Sequence, residues 1–141
     1  MSTLKPPTPR PCASCPYRRD VPPGIWASEE YAKLPPYDEP TPFQPTGVFQ
    51  CHQRDFDADE ANVCAGWAGC HDGDELLSLR IAAMDGTMTV EDVEAVRDYV
   101  SPVPLFSSGA EAAAHGLSVT APNADGAKVI EKIRRARSDL R

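Results

Sequence analysis

The sequence predicts an α-rich, irregular fold, with a loop-rich N-terminal half built on its cysteines and a helical C-terminal half. Three observations carry this. All 5 cysteines (Cys12, Cys15, Cys51, Cys64, Cys70) lie within the first 70 residues, beside segments with little apolar sequence. Twelve of the 15 prolines precede residue 46, and proline fixes φ and donates no backbone hydrogen bond, so that third of the chain is extended. After Asp74, apolar residues recur at helical spacing. A length of 141 residues suits one domain, 1–141, divided into a flexible proline-rich tail (1–11), a cysteine region (12–72) and a helical region (73–141).

In chain order, the tail is ordered only if something packs on it. Val21-Pro22-Pro23-Gly24 is a turn signal, and Ile25 to Leu34 reads as a short helix with Ala27, Tyr31 and Leu34 on one stripe. Pro35-Pro36 stops it, and residues 35–47 form an irregular arm. Gly47 to Cys51 has the β-branched and aromatic content of a brief strand that delivers Cys51. Asp55 to Glu60 reads as a solvated acidic loop. Asp74 is placed to cap a helix carrying Leu76, Leu77, Leu79, Ile81 and Ala82, which ends near Asp85-Gly86. Thr89 caps a second helix, Val90 to Val100, with Val90, Val93, Val96 and Val100 recurring on one face. Ser108 to Gly116 reads as an alanine-rich helix with a glycine stop, and a last helix is expected over about Asp125 to Leu140.

The cysteines carry the chemistry. A Cys-x2-Cys turn aims two thiolates at one metal at little entropic cost, which makes Cys12 and Cys15 the first ligand pair. Cys51, on its short strand, supplies a third. The fourth is open among Cys64, Cys70, His52 and His71. The odd cysteine count speaks against a disulfide framework. Dispersed single thiolates after one short knuckle, and the proline after Cys15, suit an iron–sulfur centre such as [4Fe–4S]; zinc is the alternative. Trp26, Phe49 and Trp67 are available as a water-poor shell. His52 and His71 each follow a cysteine directly, so a hydrogen bond behind the ligands suits them better than ligation. Because the arm has few apolar residues, the metal must supply its folding energy, and the helices after Asp74 are expected to stand without it.

Cys12-Ala13-Ser14-Cys15-Pro16-Tyr17-Arg18, then Phe49-Gln50-Cys51-His52, then Cys64-Ala65-Gly66 resembles an uncharacterised family of small proteins from actinobacteria and their phages. The resemblance covers roughly residues 11–72. It implies Cys12, Cys15, Cys51 and Cys64 as the shared ligand set, with Cys70 a spare thiol. A weaker likeness links Gly24-Ile25-Trp26 and Ile133-Arg134-Arg135-Ala136-Arg137 to the WhiB-like iron–sulfur regulators, whose basic C-terminal segment meets DNA. The tryptophan turn follows the second cysteine here and the last one there, so this is analogy only.

A net charge of −7 argues against wholesale nucleic-acid coating, although six basic residues fall in the last 14 positions. A protein partner is therefore expected over nucleic acid. Arg18 and Arg19 read as a surface pair bonded to nearby acids, and His115 as a helix-terminal residue favourable to the dipole. No apolar run approaches the ~20 residues of a membrane span, and Met-Ser-Thr-Leu-Lys-Pro-Pro does not read as a signal peptide, so a cytoplasmic location is expected. No Ser-His-Asp set or phosphate-cradling loop is readable, and catalysis is not supported. The expected function is a metal-binding, iron–sulfur accessory or regulatory protein acting through a macromolecular partner. The alternatives are a structural zinc interaction module and a small redox enzyme.

Overall fold

A computed structural model describes residues 4–50 and 61–118. Cys51, His52, the acidic stretch 55–60 and the expected helix over 125–140 lie outside the described residues. Within them are five α-helices: α1 (Ser28–Tyr31), α2 (Ala65–Cys70), α3 (Leu77–Asp85), α4 (Val90–Arg97) and α5 (Gly109–Gly116). Three short 3₁₀ turns at Pro35–Asp38, Thr41–Phe43 and Gly73–Glu75 fill the arm and the approach to α3. Extended pairing among the described residues is limited to isolated bridges, including Gln50 with Val63 and Arg18 with Leu105. Of the expected strand at 47–51, the described part (47–50) makes a single antiparallel bridge, Gln50 with Val63.

The helix expected over 25–34 closes after one turn. Pro35 and Pro36, which have no amide hydrogen to continue the helix, start a 3₁₀ turn. Tyr31 and Leu34 are buried as the stripe implied, whereas Ala27 faces solvent. The α3 start also differs from expectation. Asp72, rather than Asp74, accepts from the Asp74 amide and caps the preceding 3₁₀ turn, and α3 begins at Leu77 with no side-chain cap. Gly86 closes α3 at φ 80°, the left-handed conformation a helix-ending glycine supplies. Thr89 caps α4 as expected, accepting from the Asp92 amide at 3.1 Å. The valine stripe is shorter than its spacing suggests. Val93 and Val96 are buried, Val90 is largely exposed on the first turn of α4, and Val100 is exposed beyond the helix end at Arg97.

Gly116 is the last residue of α5, yet it is no left-handed stop. A Cβ there would collide with the Tyr31 ring, so glycine is required by the close packing of α5 against α1. Asp38 fixes the other end of α5, accepting from the amides of Gly109 and Ala110, each at 2.7 Å.

One core runs through both halves. Cys15, Tyr17, Val63, Cys64 and Trp67 pack in the same cluster as Leu76, Leu79, Val93, Val96, Phe106 and Ala112. The condition for an ordered tail is met from Leu4 onward: Leu4 is buried, Lys5 exchanges backbone bonds with Ala61 and Val63, and Asn62 Nδ2 donates to the Pro6 carbonyl. The C-terminal half closes over the knuckle as well. The Phe106 amide donates to the Tyr17 carbonyl at 2.9 Å, and Arg19 Nε donates to the Leu105 carbonyl at 2.8 Å. Among the described residues, the helices after Asp74 therefore share their core with the cysteine region. No helix among the described residues is long and apolar enough to cross a membrane.

Candidate metal centre

The Cys12–Cys15 knuckle is two successive turns. The Cys15 amide donates to the Cys12 carbonyl at 3.0 Å, and the Arg18 amide donates to the Cys15 carbonyl at 3.1 Å. Pro16 occupies the first corner of the second turn, where its fixed φ is already suitable. Trp26 holds the knuckle from the side, its Nε1 donating to the Ser14 carbonyl at 2.7 Å. Ser14 is fully buried, and its hydroxyl lies 3.8 Å from Cys12 Sγ.

Cys64 arrives from 49 residues away and caps the N-terminal end of α2. Its amide donates to the Phe49 carbonyl at 2.8 Å, and Val63 pairs with Gln50, the residue before Cys51. Cys15 Sγ and Cys64 Sγ then lie 4.0 Å apart in the interior. Hydrogen bonding to the Cys12 and Cys64 thiols, followed by burial, pushes Cys15 well above the usual thiol range. Gly66 makes room for this. A Cβ on it would collide with Cys15 Sγ and come within 2.9 Å of Tyr17 Cβ. Tyr17 is fully buried over the cluster, its phenol pushed well up by burial and then by Cys64, Cys70 and Cys15.

Cys12, Cys15 and Cys64 are thus neighbours, and Cys51 lies outside the described residues. Cys70 sits at the far end of α2; six residues at 1.5 Å rise put it about 9 Å along the axis from Cys64. Burial pushes the Cys70 thiol to about 12. Cys15, Cys64 and Cys70 are free thiols. No group of three or more His, Cys, Asp or Glu among the described residues is arranged to hold a metal ion.

The aromatic surroundings differ in part from expectation. Trp67 is fully buried and Phe49 nearly so, whereas Trp26 is half-buried and acts as a clamp. Among the described residues, His71 makes no side-chain hydrogen bond of the kind expected behind a ligand. Its ring packs edge-on against Tyr17 and Trp67, with Nδ1 3.9 Å from Asp38 Oδ1. Tyr17 Oη, Trp67 Nε1 and His71 Nε2 are buried without a hydrogen-bond partner among the described residues.

Arg18 and Arg19 are the acid-paired surface residues expected: Arg18 grips Asp20 through two nitrogens, and Arg19 reaches Glu111 at 3.0 Å. The hydrogen bond to Asp20 raises the Arg18 guanidinium further into its cationic range. His115 does more than complement a dipole. Its Nε2 lies 2.9 Å from the Val21 carbonyl, and its ring packs on Phe106. Sequence reasoning missed Gly66, Ser14 and Asp38. Only Gly66 carried a signal, as part of Cys64-Ala65-Gly66.

The model of a family of unknown function, DUF6283, matches residues 7–137. No curated protein matches the chain, and no solved structure does.

Proposed function

We propose that this chain, which belongs to the DUF6283 family, is a metal-binding accessory protein whose thiolate centre is a structural staple and whose work is done through a protein partner. Cys12, Cys15, Cys51 and Cys64 would hold the metal. The observation that carries this reading is the 4.0 Å separation of Cys15 Sγ and Cys64 Sγ, buried and flanked by the Cys12 thiol. Sulfurs bound tetrahedrally to one zinc at about 2.3 Å stand about 3.8 Å from each other. The cysteines of a cubane cluster bind different irons and are held apart by the width of the cluster. The spacing thus favours a single ion such as zinc over [4Fe–4S]. Soft thiolates select such metals, and burial of several thiols together makes a compensating cation the natural counterpart of their ionised form. Bound there, the metal would supply cross-linking of the knuckle to α2, joining segments 49 residues apart.

The redox-enzyme reading has less support. Cys70, the thiol outside the set, is held protonated at neutral pH by burial, and a thiol is a poor nucleophile. A reducing, cytoplasmic setting would keep such thiols available for a metal. Anaerobic purification followed by metal and acid-labile sulfide analysis tests the proposal. One zinc per chain in a colourless protein is the expected result. Stoichiometric iron and sulfide would overturn the single-ion centre.

A further inference from the structure

Ser14 stands between the two cysteines of the knuckle and is fully buried, although serine is mostly an exposed residue. Its carbonyl accepts from Trp26 Nε1 at 2.7 Å, so the indole fixes the Ser14 peptide. A serine in a turn commonly bonds its hydroxyl to a nearby backbone group. Here the hydroxyl has Cys12 Sγ, at 3.8 Å, as its partner among the described residues. An unpaired buried hydroxyl costs free energy, so alanine would suit this position better if it served packing alone.

The direction of the bond follows from the chemistry of the centre. A thiol and a hydroxyl can each donate to the other, and a neutral sulfur accepts weakly. A sulfur bound to a metal has given up its proton and can only accept. That acceptor carries charge, and hydrogen bonds to charged acceptors are roughly twice as strong as neutral ones. Of the proposed ligands among the described residues, Cys12 is half-buried, whereas Cys15 and Cys64 are buried. A donor directed at Cys12 therefore acts where the centre is least protected.

We propose that Ser14 is a positioning residue of the thiolate centre, its hydroxyl donating to the metal-bound Cys12 sulfur. The bond orients that sulfur, draws charge from it and slows its release from the ion. This role rests on the metal staple proposed for Cys12, Cys15, Cys51 and Cys64, and it adds the group that secures the staple at its more exposed edge.

Cobalt(II), loaded anaerobically into the full chain in place of zinc, is the probe. Its sulfur-to-metal charge-transfer band moves to lower energy as the thiolates become more electron-rich. Ser14→Ala removes the hydroxyl without adding bulk. Ser78→Ala is the control for loss of a buried hydroxyl, since Ser78 on α3 is likewise buried and has no hydrogen-bond partner among the described residues. Ser14→Ala should move the band to lower energy and weaken cobalt binding about tenfold in competition with a chelator. It should also speed alkylation of Cys12 by iodoacetamide, read by peptide mass mapping, because a sulfur relieved of a hydrogen bond is the better nucleophile. Ser78→Ala should leave all three as in wild type. An unmoved band with unchanged affinity in Ser14→Ala, or equal changes in both variants, would overturn the role of Ser14 and leave the staple standing. Wild-type protein that takes up no cobalt would remove the staple itself, and the role of Ser14 with it.

Discussion

Gly66→Ala puts two opposing effects in one experiment. Alanine in place of a helical glycine ordinarily stabilises by about 0.5–1 kcal/mol, because the unfolded chain has less freedom to lose. At Gly66 the added methyl would overlap Cys15 Sγ and stand 2.9 Å from Tyr17 Cβ. Both neighbours are fully buried, so neither can swing into solvent. Overpacking of this kind costs typically about 1–3 kcal/mol, which outweighs the helix gain and leaves a net loss of roughly 1–2 kcal/mol. The displaced sulfur is also a proposed ligand, so zinc affinity should fall in the same variant. Gly69→Ala, on the same helix, is the comparison. Its Cβ would meet Leu105 Cδ1 at 2.7 Å, the end of a flexible side chain that can move. Urea unfolding and competition for zinc with a chromophoric chelator measure the two quantities. Gly66→Ala should lose both stability and affinity, and Gly69→Ala should keep its affinity. A Gly66→Ala protein that is more stable than wild type, with unchanged zinc affinity, would refute the close approach of α2 to Cys15.

Serine at Cys12, Cys15, Cys51 or Cys64 should each abolish stoichiometric metal, since a hydroxyl is a poor substitute for thiolate, while Cys70→Ser should retain it; metal analysis of the purified variants decides. Chelation should lower amide-exchange protection in α3 and α4 together with the cysteine region, because Cys15, Cys64, Leu79 and Val93 share one core; full protection of α3 and α4 after metal removal would contradict this. Burial holds His71 below its ordinary value against the opposing pull of Asp38. The unfolded chain therefore takes up a proton that the folded ring resists. Stability from this source is complete above the unfolded value of about 6.5 and is lost as pH falls toward the folded one. His71→Gln should flatten that slope in denaturant midpoints measured between about pH 7 and pH 5; an unchanged slope would remove His71 as its source. Arg134, Arg135 and Arg137 give a salt-dependence test of the partner class. DNA binding at low salt that these residues carry would displace the protein-partner reading, and none is expected of a chain with net charge −7.

What the sequence made legible was local. The knuckle at Cys12 and Cys15, the Thr89 cap, the Gly86 stop and the span of α5 each depend on a few adjacent residues whose chemistry admits few alternatives. Gly116 shows where that reasoning fails. A glycine ending an alanine-rich segment reads as a stop, yet here it accommodates Tyr31, 85 positions earlier in the chain, and no local pattern reports that contact. Asp38 is a second case. It lies in a proline-rich arm without periodicity and caps a helix 71 residues away.

The same distinction corrects the division into a metal-dependent half and a self-sufficient helical half. Along the chain, apolar residues are sparse before Asp74 and periodic after it, which suggests two units of different kinds. In space, the helices from α3 onward are short and bury their apolar residues against the cysteine region. Val93 and Val96 share a cluster with Trp67 and Tyr17, and Phe106 is hydrogen-bonded to the knuckle's exit through the Tyr17 carbonyl. Helices of eight or nine residues are marginal in isolation and draw their stability from such packing. A cross-link between Cys15 and Cys64 would therefore act on the centre of the one core these residues form. Its loss would be felt at α4 as directly as at the knuckle.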